Sequence, residues 1–512
     1  MEKYLYGASV QGIQGFIFET NKLREIVGAS ELVEQICTSE FEKFCSEKCN
    51  HTIEDDSIIM RAAGKIKYIV DRDVAQKIVR EFPMHIRNFA PGITINQAAV
   101  SLSHNFKYDI DELEIRLKSQ RNKAEMPLEI GFMGLKRAQK TGKVAFSKDR
   151  TSSDEKEIID IGSETKRNEE SKRLFADFTG KKEHDLKKEH IPKDIEKLTG
   201  KADSSWLAII HADGNGVGSI IQNLANSISS NEDARKAFKT FSLKLEVSTK
   251  EAVKIAFDKV IDKKWQLKIE NSVGETYPLR PVVLGGDDMT VIIRADLAYN
   301  FTVEFLKSFE IRTKENFKDL EVFGLKDKYL TACAGIAYIK DNYPFHYGVH
   351  LAESLVKEAK KFSKTKDVQG DSELPPSSFS FYKVQSSFIE ELSEMRKRTH
   401  YAVKSNTNFD FGPYLLHKID GMANVAELDT LLNKLSDNKT DKSKGVSKLR
   451  QWISELYLDK SKAKFMLDRI KSINGKFYTD LQFDNYASKD HLIYNDLIQL
   501  HTFNSIYDDN KL

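Results

Sequence analysis

The sequence predicts an α+β chain of two tandem ferredoxin-like units, each of order β-α-β-β-α-β, followed by a helical C-terminal region. Three observations carry that expectation. Strand-like runs at 3–10, 58–70 and 93–102 alternate with stretches of helical apolar spacing. The same order returns at 206–212, 281–294 and 330–339, and repetition on that scale argues for a duplicated unit. Beyond about 386, LRQWISELY and HLIYNDLIQLHTF space their apolar residues as a small bundle does. At 512 residues the chain is too long for one ordinary core. The expected boundaries are 1–147 for the first unit, 148–203 for a charged linker or insertion, 204–385 for the second unit and 386–512 for the helical region.

The first unit opens with the strand KYLYGASV, and the following QGIQGFIFETNKLREIVGASELVEQICTSEFEKFCSEK is mostly helical. IIMRAAGKIKYIV reads as two β runs around a turn of small residues, followed by a helix from Val74 to Arg87 and a strand from Ile93 to Leu102. Cys37, Cys45 and Cys49 recur at four-residue multiples with His51 just beyond. A zinc set would fit those residue types, but the usual Cys-x2-Cys pairs are missing, and the same spacing describes a helix face carrying small core residues. Cys333, inside LTACAGIAYI, is expected in the core.

The charge-dense stretch 148–203 is poor in aromatics and reads as a mostly solvated linker or insertion. Its His184-Asp185 pair, a metal-ligand pair in other settings, has no apolar helix to hold it. The second unit is expected to contain a strand at 206–212, a helix about 217–258, a hairpin at 281–294, a helix about 296–316 and a strand at 330–339. Aligned hairpin on hairpin, Ala62-Ala63-Gly64-Lys65 falls near Gly285-Gly286-Asp287-Asp288, and Tyr6-Gly7-Ala8-Ser9 near His211-Ala212-Asp213-Gly214. The first unit therefore has the scaffold without the carboxylates. Whether residues 386–512 pack on these units or dock a partner stays open.

The chemistry concentrates in the second unit. The apolar run Leu207 to Ile210 leads to Asp213 and the glycine-rich turn Gly214, Asn215, Gly216, Gly218, while Gly285 and Gly286 lead to Asp287 and Asp288 at a hairpin tip. Three acids meeting at one sheet edge are what a hard divalent ion needs, so Mg²⁺ or Mn²⁺ in a two-metal site is expected on Asp213, Asp287 and Asp288. Glycines without Cβ let backbone N–H groups approach a triphosphate, and the helix after Gly218 would favour anions. The helix 343–364 carries Lys357, Lys360, Lys361 and Lys364. Lysines there are usually solvated, but one at a nucleotide site pairs with phosphates, and Lys360 is the candidate. A net charge of +2 supplies no global field for nucleic acid or membrane. No membrane span or signal-peptide pattern is present in the sequence, so cytoplasm is the expected location.

Taken together, HADGNGVG, LGGDDMTVII and AGIAYIKDNYPFHYGVHLAESLVKEAKK resemble the second palm domain of the CRISPR polymerase family, the large subunit of type III effector complexes. GIQGFIFETNKLREIVGASELVE is similar to the stretch that opens the first palm of that family. The resemblance implies tandem palm/nucleotide-cyclase domains whose GGDD palm binds ATP with divalent metal and links it into cyclic oligoadenylate, a second messenger of antiviral defence. More distantly it extends to GGDEF diguanylate cyclases and class III nucleotide cyclases. It assigns metal binding to Asp213, Asp287 and Asp288, nucleotide contact to Gly285, Gly286 and Lys360, and a place facing the shared cleft to Ser30. The family's large subunits often begin with an HD nuclease domain, and cysteines often bind zinc between their palms. Here the sequence opens at the first palm and RAQKTGKVAF has no cysteine, so a stand-alone or divergent member is expected. The leading function is a nucleotidyltransferase that condenses ATP. A nucleotide-binding or effector-complex scaffold without turnover, and a GTP-using cyclase, are the alternatives. A protein partner or an RNA activator is left open.

Overall fold

The computed structural model describes residues 2–508 except 63, 124–132, 151–155, 201–204, 228–230, 324–327, 386–390, 438–441 and 487–490. Its first sheet contains β1 (Lys3–Gln11), β2 (Ile58–Ala62), β3 (Lys65–Asp71) and β4 (Thr94–Ser101) in the order β2-β3-β1-β4, all antiparallel. The connections run through α1 (Leu23–Cys37), the helix Ser39–Cys49 and α2 (Arg72–Phe89), so the β-α-β-β-α-β order holds. Phe41 anchors this unit, stacked on Tyr6 and packed edge-on against Phe82. Cys37 and Cys45 are buried in the same core, which fits the core reading of the helix face. Ala63, in the expected hairpin turn, lies outside the described residues.

The segment 148–203 differs from the solvated linker expected of it. From α3 (Ile161–Asn168) through α4 (Arg173–Thr179) to Thr199 it is folded, with Phe175 and Phe178 fully buried. Its charge turns inward. Lys166, 1% exposed, donates to the Phe16 carbonyl and to Glu19, both at 2.8 Å, and Arg167 bonds Glu25 and Glu157. Gly28 in α1 permits this packing, since a Cβ there would overlap the Lys166 carbonyl. His184 and Asp185 are exposed, as the sequence suggests.

The second sheet has six strands: β5 (Trp206–Asn215), β6 (Leu279–Gly285), β7 (Asp288–Arg294), β8 (Thr331–Lys340), β9 (Ser378–Lys383) and β10 (Tyr414–Leu415). Their order is β10-β9-β8-β5-β7-β6, and only β8 and β9 are parallel. β9 and β10 are additions to the expected four. The single helix expected about 217–258 is two, Val217–Ser227 and Asn231–Val260. Alternation along β5 explains its unbroken apolar run. Ala208, Ile210 and Ala212 join a core shared with the C-terminal helices, while Leu207 and Ile209 join the core of the first unit. The sheet is buried on both faces. Among the described residues, no helix is long and apolar enough to cross a membrane.

Candidate metal and nucleotide site

Alternation also aims the acids. Asp213 and His211 share the face of Leu207 and Ile209, and across the sheet Asp288 and Thr290 share the face of Ile292, so all of them look toward the first unit. The β6–β7 connection is a two-residue turn, Gly286-Asp287, closed by the Gly285–Asp288 pair. Gly286 has φ +62°, at the position where a type II′ hairpin requires glycine. Thr249 Oγ1 donates to the Gly286 carbonyl at 2.6 Å and fixes the turn against the long helix below it. One carboxylate oxygen from each of Asp213, Asp287 and Asp288 lies within 4.8 Å of the others. Gly214 makes the approach possible, because a Cβ there would sit 2.8 Å from the Asp287 Cβ.

Two of these half-buried carboxyls resist ionisation. Burial, then the charges of Asp288 and Asp213, push Asp287 up to about 7. Burial and Asp213 push Asp288 up to about 6, against the pull of Lys360 and of Lys65 from the first unit's hairpin. Lys360, on α5 (Phe345–Ser363), stands 2.7 Å from Asp213 and donates to the Gly214 carbonyl at 2.9 Å. The cluster is a set of oxygen donors short of positive charge.

Residues 206–369 match the family model described as Cas10/Cmr2, second palm domain. That stretch carries the second palm domain of the CRISPR polymerase family. No curated protein matches it in sequence. Among solved structures it is similar to an apo Csm1–Csm4 cassette, with a TM-score of 0.52 and 13% identity over 98% of this chain and 70% of that one. The cassette in complex with cA4 gives 0.50 and 11% over the same shares. The cassette in complex with AMPPNP gives 0.45 and 14%, over 70% of this chain and 53% of that one, about half its length. At such identities the likeness is one of fold.

Within this second palm, the structure gathers Asp213, Gly214, Gly285, Gly286, Asp287, Asp288 and Lys360. A Cβ at Gly218 or Gly286 would meet nothing within 4 Å, so both stand at open space. Three further expected residues make contacts of their own within the fold. The Asn215 amide is buried and donates to Thr331 and Cys333, Gly216 abuts Leu374 at φ +87°, and the Ser30 hydroxyl is buried against the Val282 carbonyl in β6. Ser30 therefore ties α1 of the first palm to the second sheet. The register between the palms also differs by one from the sequence alignment. Lys65 faces Ser9 as Asp288 continues toward Asp213, so Ser9, not Ala8, holds the place of Asp213.

Three site neighbours escaped the sequence reading. His211 Nδ1 pairs with Thr290 Oγ1 at 2.9 Å, and burial lowers its pKa despite Glu353 and Asp213 nearby. Its place two residues before Asp213 on one strand was the available signal. Glu353 bonds Gln14 of the first palm and lies seven residues, two helical turns, before Lys360. Lys65 acts on Asp288 from the other hairpin, which only the docking of the two palms reveals.

Proposed function

We propose that this chain is a divalent-metal-dependent nucleotidyltransferase that joins ATP into a cyclic or short linear oligoadenylate signal, in a type III CRISPR-like defence. The observation that carries the reading is the convergence of Asp213, Asp287 and Asp288 within 4.8 Å on the sheet face turned to the first palm. The donor set fits Mg²⁺ or Mn²⁺, which are hard ions with oxygen ligands, and the raised carboxyls need such a charge beside them. When bound there, the ions would supply activation of a 3′-hydroxyl and neutralisation of charge on the attacked α-phosphate. Lys360 would leave Asp213 for the phosphates, and Gly286 would keep the turn open to them. The first palm, with Ser9, Gly64 and Lys65 where acids would stand, would hold the second nucleotide as a platform. The cA4 bound to a cassette of the same fold supports a cyclic adenylate product.

The test is incubation of the purified protein with each NTP and Mg²⁺ or Mn²⁺, with products resolved by mass. An adenylate oligomer and pyrophosphate are expected from the wild type and neither from Asp287→Ala/Asp288→Ala, which should stay folded. ATP binding without product, even with partner proteins and target RNA added, would leave the scaffold reading in its place. A product from GTP alone would select the GTP-using cyclase.

A further inference from the structure

Five residues before Gly285, about 16 Å down the extended strand β6 from the GGDD turn, lies Arg280. It is buried, 6% exposed, between α1 and the segment after α3. Its guanidinium makes no hydrogen bond or ion pair with the described residues. Nε is enclosed without a partner, and the Phe175 ring lies 5.6 Å from the guanidinium carbon. A buried cation left so recovers little of its lost solvation, and burial lowers its pKa to about 10 against the opposing pull of Glu31. The carboxyl nearest in charge, Glu31, is already taken. It accepts from Ser171 Oγ at 2.9 Å and from the Leu174 amide at 3.1 Å, and burial pushes it up to about 7.

Arg280 lines a cavity of about 120 Å³ together with Arg24, Arg167, Lys172, Lys188 and Lys193, and these cations outnumber the lining carboxyls Glu31, Glu169 and Glu170. Lys188 and Lys193 also line a wider groove of about 440 Å³ with Lys187 and Lys197. Lys188 pairs with Glu170, and Lys172 donates to the carbonyls of Glu183 and Leu186. Lys193 has no ion-pair partner among the described residues, and its pKa is lowered by burial and then by Arg24 and Lys188. A cavity with surplus positive charge and a buried free guanidinium calls for an oxyanion. Arginine's planar fork fits phosphate in two-point contact. The volume, well under the roughly 300–1,000 Å³ of sites that enclose whole ligands, suits a phosphoryl group and not a nucleoside.

We propose that this cavity binds a phosphoryl anion, either free pyrophosphate or the 5′-terminal phosphates of a nucleotide chain lying along the lysine groove, with Arg280 as the buried fork and Lys193 at its rim. The inference is independent of the polymerase reading, since none of its residues belongs to the carboxylate cluster.

Calorimetry on the full chain tests it, in EDTA and at near-physiological salt, so that neither bound metal nor loose ion pairing contributes. The titrants are pyrophosphate, 5′-triphosphorylated diadenylate and the same dinucleotide with a 5′-hydroxyl. Saturable binding at one site is expected, weakened tenfold or more by Lys193→Gln and by Arg280→Met and unchanged by Asp287→Ala/Asp288→Ala. Equal affinity for pyrophosphate and the triphosphorylated dinucleotide identifies the free anion as ligand. A clear preference for the triphosphorylated dinucleotide identifies the chain end. If Arg280→Met does not fold, the exposed Lys193 carries the test alone. Absence of binding, or binding that Lys193→Gln leaves intact, overturns the proposal.

Discussion

Burial and neighbouring carboxylates, Asp288 and Asp213 for Asp287 and Asp213 for Asp288, raise the pKa of both acids, and that sets how the protein responds to pH. Their pKa values in the fold, about 7 and about 6, lie above the ordinary 3.8 of an unfolded aspartate. Stability from such groups is fully present below about pH 4 and is lost as pH rises through 6 and 7. Asp287→Asn/Asp288→Asn keeps the neutral shape. In metal-free buffer the variant should therefore match the wild type near pH 4 and exceed it by about 1–2 kcal/mol at pH 8, once solvent screening of half-buried groups is allowed for. Mg²⁺ or Mn²⁺ should close that gap by stabilising only the wild type. A thermal-melting difference that stays flat with pH would refute the assignment. At Gly214 the argument is steric. A methyl there presses on the Asp287 side chain at 2.8 Å, so Gly214→Ala should abolish Mn²⁺ binding, read by titration calorimetry, while shifting the melting midpoint little. Both acids and glycine were legible in the sequence, because strand ends and turn glycines leave local signatures. Asn215 reads in the sequence as part of the same turn, and only the pairing of β5 with β8 turns its amide inward.

At the scale of elements, the two β-α-β-β-α-β units were legible because apolar periodicity and turn residues act over short windows. Register was not, since a slip of one residue changes no composition yet flips every side chain. The segment around α3 and α4 was hidden for a different reason. Lys166 and Arg167 look solvated until Glu19 and Glu25, more than a hundred residues earlier, fold against them. Lys166→Met should therefore behave as a broken buried pair and not as a surface change. The expected loss is about 3 kcal/mol, toward the low end for such pairs, because Lys143 still holds Glu19 at 2.6 Å. The denaturation midpoint in urea decides it, and an unchanged midpoint would mean the segment is only loosely docked. The added strands β9 and β10 were missed because nothing in SFSFYK or YL reveals which edge they join.

For the whole molecule, the decisive feature is that one sheet supports two cores. One face meets the first palm and carries the carboxylates, and the other meets the C-terminal helices. The helix Tyr494–Asp508 sets Phe503 against that second face, stacked 4.3 Å from Tyr338 and edge-on to Trp206 at 5.6 Å. Tyr414 of β10 donates to the buried Asp496 at 2.7 Å, and Tyr299 donates to Asp429 at 2.6 Å, so polar ties cross the same boundary. A sheet whose far face is covered this way cannot release the C-terminal region without exposing Ala208, Ile210 and Ala212, the strand that presents Asp213. Phe503→Ala should then cost about 3–5 kcal/mol, the range for a buried phenylalanine, and it should lower the stability of the second palm as a whole. In a Trp265→Phe/Trp452→Phe background that leaves Trp206 as the one tryptophan, its fluorescence and far-UV circular dichroism, followed through a urea titration, report the boundary and the bulk helix content. In the variant both should move to the same lower midpoint, and loss of divalent-ion binding should follow that midpoint and not precede it. If Trp206 loses its native signal first while metal binding persists, the C-terminal helices are a separable layer, and the carboxylate face stands without them.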